Sequence, residues 1–325
     1  MLTHPAVRTW QAVDSGGRIP ALVELIKGNQ RPRTIWRLTG AGLGESAVIA
    51  KRCPRHTAAL ERQVYERILP QLPVSAPDYY GYVEEDEQHA WIFLEDVGRE
   101  RISLTDDTQR KLAARWLGML HAAAVDVIGP DELPDRGTPH YRRLLATGRA
   151  SLEAGRHNPT LRAGERRTLE AVLRLLDVVE GEWSAVEEFS RVLPRTFVHG
   201  DFRPKNILVR KGRKPMQLFA IDWEFSGWGL VAPDLAPSRG PVLEPQVDLP
   251  TYVSVVREQW PDLDMASFRA QVTAGGILRR LAAVEWAARS LGYPNLVKPV
   301  GQLETYLFEL QGALSNAPWR GGRAR

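Results

Sequence analysis

The stretch VHGDFRPKNILV at 198–209 places Asp201 and Asn206 five residues apart, in a loop between two short β-type segments. A carboxylate and a carboxamide on one loop suit two tasks. The acid can accept the proton of an attacking hydroxyl, and the amide oxygen can bind a hard divalent cation. Sixteen residues after Asn206, Asp222 follows the apolar run LFAI and supplies a second oxygen ligand at a strand end. Magnesium is commonly held by one or two carboxylates plus phosphate oxygens, so this spacing points to phosphoryl chemistry. Each Asp alone reads equally well as a turn or cap residue; the combination does not.

The elements that must carry these residues change character along the chain. The first hundred residues read as strands and turns around one helix. ALVELIK and TIWRL are β-rich and separated by a Gly/Asn/Pro break, and AVIAKRC forms another strand. TAALERQVYERIL, 57–69, has helical apolar spacing with Thr57 as its N-cap, and VSAPDYYGYV and HAWIFLEDVG are two further strands. After Gly98 the patterning turns helical, over 105–126, 161–183, 251–259, 265–291 and 300–314, interrupted by short strands between 195 and 225. A strand-rich domain over 1–97 followed by a mainly helical domain over 98–325 is expected.

Composition sets limits on function. With 43% hydrophobic and 25% charged residues the chain is globular, and no window approaches the roughly 18 apolar residues of a membrane helix. One cysteine, Cys53, forms no internal disulfide, and the start lacks a signal-peptide pattern, so a soluble cytoplasmic protein is expected. The net charge is only +4, although Lys and Arg number 43. Arg203, Lys205, Arg210, Lys211, Arg213 and Lys214 form a basic run, but no aromatics interleave it, so no nucleic-acid partner is expected. Only seven of the cations are Lys, which makes Lys51, at the end of a strand, an unusual choice of residue.

HGDFRPKN resembles the catalytic-loop signature of the aminoglycoside phosphotransferase and choline kinase-like family, related to protein kinases, and the resemblance extends over about residues 20–310. It implies an α+β, bilobal protein-kinase-like fold, with an antiparallel-sheet N-lobe and a mainly helical C-lobe. It further implies ATP and Mg²⁺ as cofactors, Asp201 as catalytic base, and Asn206 and Asp222, in IDWE, as metal ligands. Arg203 falls where protein kinases carry the catalytic-loop Lys, and Lys51 matches the strand Lys that contacts the α- and β-phosphates. Glu61 is the favoured partner for that Lys, with Glu66 the competitor. WIFLEDVG takes the place of the hinge, where Glu95 and Val97 would offer main-chain groups to adenine. Asp234, in PDLA, matches a residue bracing the catalytic loop, and His199 and His121 read as structural.

GAGLG at 40–44 looks like a phosphate loop but ends only seven residues before Lys51, too close for the two strands that normally intervene. KGNQRPR, beginning at Lys27 and Gly28, is the better candidate.

The machinery leaves the acceptor open. Residues 1–97 carry 11 cations and 12 acids, and the remainder 32 and 27. A polycationic aminoglycoside would need a concentrated acidic lining, so a neutral or mildly polar small-molecule hydroxyl compound is favoured. Trp183, Trp223, Trp228, Trp260, Trp286 and Trp319 could build a cage for a quaternary amine, although Trp more commonly anchors cores. Two other functions compete: a nucleotide-binding regulatory protein without transfer, and a Ser/Thr protein kinase. The HGD in place of HRD and the lack of an APE motif argue against the last. The oligomeric state is not legible.

Overall fold

The computed structural model describes residues 3–14, 16–28, 33–192, 194–212, 215–237, 246–293 and 295–320. The chain divides into two compact units. The first comprises Met1–Ser103, Asp126–Ile128 and Pro204–Ser226, and the second Leu104–Val125, Gly129–Arg203 and Gly227–Arg325.

In the first unit, helix α1 (Pro5–Gln11) starts at His4, whose side chain caps the Ala6 N–H. Strands β1 (Leu22–Lys27), β2 (Thr34–Thr39), β3 (Val48–Pro54), β4 (Tyr79–Glu84) and β5 (His89–Glu95) form one antiparallel sheet in the order β1-β2-β3-β5-β4. Alternation assigns the two faces of β3. Val48 and Ala50 join Leu38, Trp91 and Phe93 in a core covered by Val7 and Trp10 of α1. Ile49, Lys51 and Cys53 point to the opposite face. Helix α2 (Arg55–Gln63) follows β3 at once, beginning after Pro54 rather than at the expected Thr57 cap, and continues as a π-helical turn over Val64–Ile68.

The segment 204–226 belongs to this unit through main-chain pairing. Its hairpin, made of β8 (Ile207–Arg210) and β9 (Gln217–Ala220), is tied to residues 100–102 by Val209 N–H to Glu100 O at 2.9 Å and Ile102 N–H to Ile207 O at 3.1 Å.

The second unit is mainly helical. Its helices are α3 (Asp107–Val127, whose last residues fall in the first unit), α4 (Thr138–Gly155), α5 (Ala163–Gly181), α6 (Trp183–Arg191), α7 (Ala232–Leu235), α8 (Leu249–Val256), α9 (Met265–Ala288) and α10 (Val297–Ser315). A small sheet of β6 (Asp135–Arg136), β10 (Gly227–Leu230) and β7 (Arg195–Val198), in that order, leads into the 199–203 loop. Leu169, Val172, Leu176, Ile277, Leu281, Leu303 and Leu310 form the centre of its core, and they come from α5, α9 and α10. The α+β architecture expected from the sequence is the one observed. No described helix is long and apolar enough to cross a membrane.

Candidate active site

In the first unit, strand register places the Lys51 side chain on one face with Ile35 of β2 and Ile92 of β5. There the buried ammonium sits 2.7 Å from Glu61 Oε1, supplied by α2, and 2.7 Å from Asp222 Oδ1. Glu66, the competing acid, faces outward and pairs with Arg62 at 2.7 Å. Asp222 follows β9 and adopts a left-handed backbone, φ 68°, uncommon for a residue with a side chain. The hairpin register Ile207↔Ala220 continues into a bond from Ile221 N–H to Asn206 O at 2.9 Å. Asn206, buried, thus sits across from the residue preceding Asp222.

The electrostatics of this cluster are asymmetric. Burial pushes the Glu61 carboxyl up to about 7 against the pull of Lys51. Burial also opposes the charge on Asp222, but Lys51, then Lys205 and Lys27, hold its carboxyl well below the usual carboxylate range. The same two acids keep the Lys51 ammonium charged despite its burial. Three of the chain's seven lysines therefore act on one carboxylate. In the sequence Lys205 reads as part of a basic run; the rarity of Lys is the signal that could have found it.

Lys27 ends β1 and Gly28 follows it. At Gly28, φ is +85° and a Cβ would fall 2.2 Å from the Arg33 carbonyl oxygen, so the turn requires glycine. The rest of the candidate phosphate loop, residues 29–32, lies outside the described residues. Arg33 pairs with Glu224.

At the expected hinge, Glu95 donates its N–H to Asp78 O at 2.8 Å. Its side chain accepts from Arg210 at 2.5 Å. Val97 is buried. Within the basic run, Arg210 and Lys211 are thus paired, Lys211 with Glu100, and Arg213 and Lys214 lie outside the described residues.

In the second unit, the 199–203 loop is held through its main-chain N–H groups. Asp234, buried on α7, accepts the N–H groups of His199 at 2.7 Å and Gly200 at 2.9 Å. Gly200 lies at φ +77°, and the Asp201 N–H donates to His199 Nδ1 at 3.2 Å. His199 therefore shapes the loop. His121 bonds Tyr252 Oη at 2.9 Å. Burial opposes the Asp234 charge, but His121 and the bonds from His199 keep its carboxyl below the usual value. Asp201 itself, buried, is gripped at both oxygens by the Arg203 guanidinium, with Nη2 to Oδ2 at 2.8 Å. Trp183 and Trp223 are buried core residues, and Trp286 stands exposed on α9.

The donor set in the first unit fits a hard divalent cation. Asp222 offers a strongly acidic carboxylate and Asn206 adds an amide oxygen, with nitrogen and sulfur ligands absent from the pair.

A model of the phosphotransferase enzyme family matches residues 23–289. No curated protein matches the chain. Among solved structures, a choline kinase from Cryptosporidium parvum superposes with a TM-score of 0.61 at 12% identity, covering 97% of this chain and 94% of its own. A spectinomycin phosphotransferase in complex with ADP and spectinomycin gives 0.60 at 11%, covering 95% and 97%. A putative aminoglycoside phosphotransferase from Ralstonia eutropha gives 0.59 at 15%, covering 95% and 98%. At these identities the likeness is one of fold.

Proposed function

The chain belongs to the phosphotransferase enzyme family, and from that premise we propose that it is an ATP- and Mg²⁺-dependent kinase of a hydroxyl group on a small molecule. The observation that carries the reading is the joining of Lys51 to both Glu61 and Asp222 at 2.7 Å, with Lys27 and Lys205 acting on the same carboxylate. A buried ammonium shared between two acids is costly to maintain for stability alone. It serves a site where polyphosphate oxygens and a cation replace the Lys51 to Asp222 contact.

Each residue then has a role this chemistry requires. Lys51, oriented by Glu61, aligns the α- and β-phosphates, and Lys27 and Lys205 add charge beside them. Asn206 and Asp222 would hold Mg²⁺, which neutralises charge on the β- and γ-phosphates when bound. Glu95 and Val97 receive the adenine edge through main-chain groups. Gly28 gives the main chain close access to the phosphates. Asp201 orients the acceptor hydroxyl and takes its proton, and Arg203, freed from Asp201, stabilises charge on the transferred group. Positioning and electrostatics supply most of the rate in such transfers.

For the acceptor, the absence of an acidic surplus in residues 98–325 favours a neutral or mildly polar alcohol, such as a sugar, amino alcohol or natural product, over a polycation. The test is Mg-ATP consumption screened across sugars, amino alcohols, aminoglycosides and a generic protein substrate. Asp201→Asn should lower turnover by about 10²–10⁴-fold while ADP affinity, by calorimetry, stays within error. Undiminished turnover in that variant would sink the assignment. ADP binding without transfer to any acceptor would leave a nucleotide-binding regulator instead.

A further inference from the structure

Helix α9 reaches the Asp201 loop through two residues one turn apart, Gly275 and Arg279. At Gly275 a Cβ would fall 2.5 Å from the Ala232 carbonyl carbon and 2.7 Å from its Cβ, so α9 lies main chain against main chain on α7. That approach brings the partly buried Arg279 guanidinium to three carbonyl oxygens. Nη1 donates to Pro233 O at 3.2 Å and Ala236 O at 2.8 Å, and Nη2 donates to Phe202 O at 3.2 Å. Gln246 Nε2 donates to the same Phe202 oxygen and to Asp234 O at 2.6 Å. The Phe202 ring is also fixed, stacked on Trp116 at 5.8 Å.

The consequence is a loop held at both ends. Asp234 takes the N–H groups before Asp201, and Arg279 with Gln246 takes the carbonyl after it. Burial lowers Arg279 to about 10, with Asp201 and Asp234 opposing that fall, so its charge persists at neutral pH. A charged donor to a carbonyl is stronger and more directional than a neutral one. A single-residue shift of the loop would re-aim the carboxylate.

We propose that Arg279 is a positioning residue for the Asp201 carboxylate, acting through the Phe202 carbonyl with Gln246 as its second support. This rests on the reading of Asp201 as the base. Full-length protein is assayed for Mg-ATP turnover with water as acceptor, and ADP affinity is measured by calorimetry. Arg279→Met should lower kcat by about a hundredfold, with ADP affinity kept within about twofold, and Arg279→Lys should recover part of the loss. In the Asp201→Asn background, Arg279→Met should change turnover by less than about twofold, because both act on one step. Unchanged kcat in Arg279→Met, a parallel loss of ADP affinity, or full additivity with Asp201→Asn would each overturn the proposal. Should Arg279→Met fail to fold, Gln246→Met puts the same question through the other donor: a drop of about tenfold in kcat alone supports it, and an unchanged kcat overturns it. Undiminished turnover in Asp201→Asn would instead defeat the base assignment itself.

Discussion

Lys51 is the residue where composition, position and chemistry agree. Lysine is rare in the chain and a strand is expected to end near Lys51; β3 instead runs on to Pro54, and Lys51 is buried between Glu61 and Asp222 at 2.7 Å from each. Removing the cation leaves Glu61 and Asp222 without the ammonium that joins them, and only the more distant charges of Lys27 and Lys205 remain to act on Asp222. Lys51→Met should therefore lower stability by about 3 kcal/mol, near the low end for a broken buried pair, since a Glu61 carboxyl pushed up to about 7 readily takes a proton. Denaturant melts and ADP calorimetry check this together. A variant with wild-type stability and affinity would remove Lys51 from the site. The identity of its partner acid was open from sequence, since Glu61 and Glu66 share one helix, and a π-helical turn begins at Val64 between them. Helical phase, read over a stretch that leaves the 3.6-residue period, does not settle which acid faces the sheet.

Among the elements, α9 shows how a glycine converts packing into function. Its sequence AGGILRR reads simply as a helix, and helical propensity would disfavour both glycines. Gly275 instead permits the contact with Ala232 that carries Arg279 to the loop. Gly275→Val would force α9 away from α7 and should cost about 1–3 kcal/mol, read as a lowered unfolding midpoint. An unchanged midpoint would mean the helices part without penalty, contrary to the close approach. Such contacts join residues 232 and 275, far apart in sequence, and no local pattern announces them. Helix α4 is not among the helices expected from the pattern, for a related reason: its Gly-Thr-Pro start reads as a turn, and only burial of Tyr141, Leu145 and Leu152 against α9 reveals its apolar stripe.

At the scale of the whole molecule, stability depends on a half-buried base that folding holds neutral. Burial, then Arg136 and Arg143, lower His140 from 6.5 to about 4. The folded state keeps the ring neutral while the unfolded chain takes up a proton below 6.5, so the unfolded state binds more protons between those values. Stability should rise with pH from about 4 to 6.5 and be lost as pH falls through that window. Denaturant midpoints across it should be flatter for His140→Gln than for the wild-type chain; equal slopes would dismiss the effect. By itself, the sequence determined the strand-to-helix order, the loop bearing Asp201 and Asn206, the strand lysine and the family, because these are local spacings of side chains with distinctive chemistry. Only the tertiary structure decided that Glu61 pairs with Lys51, that Lys27 and Lys205 act on Asp222, and that Arg279 holds Phe202. Those relations depend on strand register and on helix approach, which are set by packing between residues distant in the chain.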